Sequence, residues 1–147
     1  MSRTTHDVAA ASGYRLLPHT ADAQLMAWGR TREECLAAAV RGLASLFMRP
    51  RPGTRTQSEE FAIPAGPDDE QLLGLLDEVI YRIDVTGRVP VAALVNRQPD
   101  GGLTGMFQTV AVADIVQTGS VPKATTRHGL HLTCGEAGWR ARATIDV

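Results

Sequence analysis

Few residues of this chain combine the type and the spacing that chemistry requires, and the best of them are oxygen donors. Asp22 closes the run His19-Thr20-Ala21-Asp22 at the start of a strand-like segment. Asp146 is the penultimate residue, so its carboxylate lies beside the terminal oxygens of Val147. Neighbouring carboxyls repel unless water or a cation stands between them. Oxygen donors without a His or Cys partner suit Ca²⁺ or Mg²⁺. On spacing alone, a solvated chain end and a turn-forming Asp account for the same residues and are the plainer reading. One count stands out: Lys123 is the single lysine against 14 arginines. A compact ammonium fits places that a planar guanidinium does not. His128 lies close by in the chain.

Other chemistries find no support. The sequence holds no GxGxxG after a strand, no Walker A loop, no HExxH, no EF-hand loop and no GxSxG. Cys35 sits inside an apolar helical pattern, and Cys134 falls on the apolar side of an alternating strand. Both are expected to be buried structural thiols. The acidic residues Asp68, Asp69, Glu70, Asp77 and Glu78 spread round one helix, where capping and solvation account for them. Net charge is −1, so no global basic field attracts nucleic acid, and no stable direct binding to RNA or DNA is expected. Apolar runs fall far short of the roughly 20 residues that span a bilayer. A cytoplasmic chain without a membrane association is the expectation.

The elements that must position these residues are legible from periodicity. At 147 residues with 44 % hydrophobic content, the chain suits one domain with one core. Residues 1–13 are polar, Ala/Ser-rich and aperiodic, and are expected to be flexible. Segments 14–17 and 23–28 read as short strands. Thr31 with Glu34 forms a capping box before Leu36, Ala39, Val40, Leu43, Leu46 and Phe47, which predicts a helix over 32–48. Pro50 and Pro52 then end the helix, and the stretch RPRPGTRTQSEE, residues 49–60, reads as a loop. After a brief strand at 61–63, Asp68 is the predicted N-cap of a second helix. Its apolar stripe is Leu72, Leu73, Leu76, Val79, Ile80 and Ile83, ending before Gly87.

Segments 89–95, 102–115, 127–134 and 139–147 alternate like strands and have turn residues between them. His128, Leu130, Leu132 and Cys134 are predicted to share one face. In the last segment Trp139, Ala141, Ala143, Ile145 and Val147 share one face, with Arg140, Arg142, Thr144 and Asp146 opposite. The fold class predicted is α+β: a single domain with two amphipathic helices packed on an antiparallel β-sheet.

Four segments carry a resemblance. Residues 18–47, beginning PHTAD, look like the opening of the archease family. LLGLLDEVIYRID resembles that family's second helix, PKATTRHGLHLT its K-A-x-T-x-H stretch, and GWRARATIDV its closing strand. The likeness runs over 14–147 in the right order. It implies a non-catalytic accessory protein of the RtcB-type RNA ligase, promoting guanylylation and multiple turnover in tRNA splicing or RNA repair. The resemblance also implies a divalent cation, Ca²⁺ first with Mg²⁺ or Mn²⁺ as alternatives, held by Asp22, Asp146 and Val147. His19, Lys123 and His128 are then candidates for partner contact. Arg127 departs from the family pattern, where an aromatic is common. Two other functions compete: a chaperone for a tRNA methyltransferase, and a divalent-metal-dependent phosphoesterase with His19 or His128 as base.

Overall fold

Thr31 begins the first helix as its side chain predicts. Its hydroxyl accepts the Glu34 amide at 3.1 Å, and the Glu34 carboxylate accepts the Arg30 amide at 3.2 Å. The reciprocal cap thus reaches one residue further upstream than the simple box. The structure is a computed structural model, and it describes residues 12–17 and 22–147. The expected flexible segment 1–13 therefore lies almost wholly outside the described residues, and His19 lies outside them too. Helix α1 runs Arg32–Ser45 and buries Cys35, Leu36, Ala39, Val40 and Leu43.

The helix stops earlier than its apolar pattern predicts. Met48–Pro50 turns out as strand β3, because Phe47 and Met48 bury their side chains while the backbone pairs with a later strand. Pro50 is tolerated there at the end of a two-stranded ribbon. Residues 57–60 are likewise strand rather than loop: β4 runs Gln57–Ile63, and its polar first half faces outward along a sheet edge.

Helix α2 spans Asp68–Tyr81, with Pro67 at the N-cap and no side-chain cap. Asp68 is therefore not the cap. It is the first helical residue, and its carboxylate binds the buried Arg32 guanidinium at 2.8 Å instead. Leu72, Leu75, Leu76 and Val79 are fully buried, whereas Leu73 is half-buried. The stripe is shifted toward Leu75 because α2 packs on both α1 and a strand of the larger sheet. A π turn, Arg82–Thr86, carries the helix on to Gly87, whose φ of 69° supplies the left-handed exit.

Strands β1 (Gly13–Leu17), β2 (Asp22–Gly29), β8 (Ala124–Gly135) and β9 (Gly138–Asp146) form an antiparallel sheet in the order β1-β2-β9-β8. Strands β5 (Arg88–Arg97) and β6 (Leu103–Ala111) complete a second sheet, β4-β6-β5. The predicted single strand over 102–115 breaks at a 3₁₀ turn, Val112–Asp114, before β7 (Ile115–Gln117) pairs with β3. This is the predicted α+β class in a single domain.

Strand β9 buries Ala141, Ala143 and Ile145 as expected, with Arg140 and Asp146 exposed opposite them, although Thr144 on that opposite face is buried as well. Strand β8 does not alternate as expected. Its register against β9 shifts between Thr126 and His131, where Gly129 has φ +71°. The bulge separates His128 from the apolar face, and the strand then runs past the core. Leu132 is buried, but His128 and Cys134 are exposed, so Cys134 is not the buried thiol its spacing predicts.

Candidate functional site

The central pair β2–β9 aligns Asp22 directly opposite Asp146, residues at the two ends of the domain's sequence. Directly opposite residues of an antiparallel pair share a face, with Cβ atoms roughly 5 Å apart. Two like charges so placed destabilise the pair unless solvent or a cation lies between them. Asp22 is half-buried and Asp146 exposed. On its other side Asp146 is aligned with Ala124, and its backbone carbonyl accepts the Lys123 amide at 2.7 Å. The ladder thereby fixes the backbone of Asp146 and leaves its carboxylate free to point outward.

A cleft of about 370 Å³ opens at this end of the sheet, lined by Asp22 and Val147 with Leu17, Leu46 and Ser120. The structure thus joins Asp22 to Asp146 by register and Asp22 to Val147 by a shared cleft. Asp146 itself is not among the cleft's lining residues. Among the described residues no three His, Cys, Asp or Glu side chains cluster as a metal cage. The donor set fits a hard cation in part: two carboxylates and the backbone carbonyl of Val147, against the six to eight oxygens that Ca²⁺ takes. Water or a partner's oxygens would complete such a shell.

Lys123 and His128 are not brought to that cleft by their side chains. Lys123 meets it only through its amide; its exposed side chain lines a second cavity. His128 stands at the β8 bulge, its amide donating to the Thr126 hydroxyl at 3.2 Å. Four residues of strand separate it from Ala124, on the order of 13 Å. Arg127, beside it, pairs with Glu70 in the first turn of α2. Hydrogen bonding from that guanidinium holds the Glu70 carboxyl below its ordinary range. The pair ties β8 to α2.

The second cavity, about 690 Å³, is the part of the molecule that sequence reasoning missed. Asp77, Tyr81 and Asp84 face it from α2 and the π turn, and Lys123 faces it from the other side. Burial raises the Asp77 carboxyl above its usual value, against the Thr125 backbone and the Arg127 charge. The spacing of the three residues, at i, i+4 and i+7, is the one sequence signal for this grouping. Cys35 matches its prediction: fully buried, its thiol is pushed up to about 12 by desolvation.

A small α+β protein with opposed carboxylates at the ends of its central strands is the class that fold and site define. The model of the Archease protein family matches residues 14–147, and the chain belongs to that family. It is 38 % identical over 137 residues to the "Probable protein archease" of Mycobacterium tuberculosis, covering 93 % of this chain and 76 % of that one. Against the "Protein archease" of Methanosarcina barkeri the identity is 28 % over 142 residues, covering 91 % and 95 %. The solution structure of Methanobacterium thermoautotrophicum protein 1598 superposes with a TM-score of 0.69 at 19 % identity, covering 92 % of this chain and 99 % of that one. A crystal structure from Thermotoga maritima, described as "an archease, possible chaperone", gives 0.64 at 20 % identity, covering 90 % and 96 %. At those identities the two structures speak to the fold alone.

Proposed function

We propose that this chain is a non-catalytic, cation-binding accessory protein that activates an RtcB-type RNA ligase, acting in the cytoplasm in tRNA splicing or RNA repair. The observation that carries this reading is the β2–β9 register, which opposes Asp22 and Asp146. Those carboxylates with Val147 are the residues that the family resemblance assigns to a divalent cation. Ca²⁺ is the first choice, with Mg²⁺ or Mn²⁺ behind it. A bound cation would supply charge compensation at the strand ends. The chain's own residues do the rest. Lys123 secures the Asp146 backbone through its amide, and β9 holds Val147 beside Asp22. His19 and His128 are retained as partner contacts by resemblance. Action as a chaperone, toward a tRNA methyltransferase for example, is a second reading, favoured by the description of the Thermotoga maritima neighbour as a possible chaperone.

The test is made in trans. Added at substoichiometric amounts to a cognate ligase with GTP and Mn²⁺, the protein should turn a stalled single turnover into multiple turnover. Asp22→Asn and Asp146→Asn keep size and remove charge. Each should weaken Ca²⁺ binding by at least about tenfold in calorimetry, or 1.4 kcal/mol, and abolish activation with the fold preserved. Unchanged ligase rates across all ratios of wild-type protein would discard the ligase reading. Wild-type affinity in both variants would discard the two carboxylates as ligands.

A further inference from the structure

The groove between α2 and the segment leading into β8 belongs to no part of the proposed cation site. At about 690 Å³ it lies within the size range of cavities that enclose ligands. Its floor is apolar, built from Phe47, Ile80 and Ile115. Three of the large apolar side chains that stand exposed among the described residues gather on its rim: Tyr81 at 54 %, Val112 at 42 % and Val121 at 41 %. Grouped exposed apolar surface of this kind marks interaction sites, whereas isolated exposed residues do not.

The charges add a direction. The acidic residues elsewhere on α2 are engaged: Asp68 with Arg32, Glu70 with Arg127, Glu78 with Arg82, and Asp69 with the Leu132 amide. Of the two that face the groove, Asp77 is bonded to the Thr125 backbone and lies in the field of Arg127, yet neither it nor Asp84 takes part in an ion pair among the described residues, in a chain with 14 arginines. Between them stands Tyr81, whose ring offers a face to a cation. Lys123 occupies the opposite wall and is likewise in no ion pair among the described residues.

We propose that this groove docks a short peptide segment of a partner protein, seating an arginine or lysine on Tyr81 between Asp77 and Asp84 and an apolar side chain on the floor. A guanidinium there donates charge-assisted hydrogen bonds to both carboxylates and lies in cation–π contact with the ring. Lys123 faces an acceptor of the same segment, a carboxylate or a main-chain carbonyl, and so sets its orientation. A free polyamine would satisfy the carboxylates and leave the floor empty. The apolar rim is what favours a peptide. The proposal holds whichever protein supplies the segment, so it stands apart from the ligase reading.

The full chain, ¹⁵N-labelled, is titrated with the tetrapeptide Ac-Arg-Leu-Leu-Arg-NH₂ at millimolar concentrations, as suits a short unconstrained ligand. Amide shifts are expected in residues 77–86 and 121–124. Ac-Glu-Leu-Leu-Glu-NH₂ and Ac-Arg-Ser-Ser-Arg-NH₂ should each bind at least about tenfold more weakly. The double variant Asp77→Lys/Asp84→Lys should reverse the preference between basic and acidic peptides, while unchanged shifts elsewhere report an intact fold. Absence of shifts at these residues would overturn the proposal, as would equal responses to the basic and acidic peptides. Equal binding by spermidine or by the serine peptide would overturn it too, because the groove would then be a small-cation site.

Discussion

The chain-end cleft and the groove beside α2 flank the same segment, residues 118–123, yet they are assembled by different means. Ser120 lines one, and Val121 and Lys123 line the other. The cleft is a product of backbone pairing. Asp22 lines it, and the β2–β9 ladder sets Asp146 directly opposite Asp22 from the other end of the sequence, so no local feature sets their separation. The groove is a product of side-chain spacing along one helix and its π turn. A site set by a ladder responds to whatever frays the strands. A site set by a helix face responds to the individual side chains on it.

The sharpest way to separate the two is to loosen β9 from beneath. Ile145 is fully buried one residue before Asp146. Ile145→Ala should cost about 2–5 kcal/mol in urea denaturation. In the folded fraction, Ca²⁺ affinity should fall while the groove keeps its response to basic peptide. Equal loss at both sites would show that they are not independent.

The shared segment offers a perturbation that should reach both. The amides of Thr118 and Gly119 donate to the Phe47 carbonyl at 2.7 and 3.2 Å, and the Lys123 amide holds the other end at Asp146. A Cβ at Gly119 would stand 2.7 Å from the Leu46 carbonyl oxygen, closer than real contacts allow. Gly119→Ala should therefore cost about 1–3 kcal/mol by forcing the segment outward. Cation binding and peptide binding should decline together, read by calorimetry and by the amide shifts. A variant with wild-type stability would mean that the segment yields freely and couples nothing.

The smallest effect belongs to Asp77. Burial raises its carboxyl, so the folded protein holds that proton more tightly than the unfolded chain does. Its ionisation then works against the fold as pH rises through and above the ordinary carboxylate range. Asp77→Asn should stabilise the protein at pH 7 by an amount on the order of a few tenths of a kcal/mol, given solvent screening, and leave it unchanged near pH 3. Urea midpoints at the two pH values measure it. Destabilisation at pH 7 would show that the bond to the Thr125 backbone outweighs desolvation.

Much of the scaffold was legible because its signals are local. The Thr31–Glu34 cap, the apolar stripe of α1 and the alternation of β9 each lie within a window of about ten residues, over which backbone periodicity directly orders side chains into faces. The same locality explains the errors. Asp68 has the type of a cap, but a guanidinium 36 residues away claims it. Residues 57–60 read as loop because an edge strand with its polar face outward carries little apolar signal. Cys134 alternates as a buried residue would, yet the strand outruns the core that would have covered it.

The residue types at the candidate cation site, Asp22, Asp146 and Val147, were readable from the chain, as were Lys123 and the family to which the chain belongs. What only the tertiary structure decided is adjacency. The register that opposes Asp22 to Asp146 is chosen by long-range ladder pairing and by the burial of Leu25, Ala143 and Ile145 beneath it, because a one-residue slip would turn those side chains out to water. The grouping of Asp77, Tyr81 and Asp84 across from Lys123 likewise follows from how α2 lies on β8. Sequence carries the local preferences of each segment. The balance of buried area and backbone hydrogen bonds over the whole chain selects which segments meet.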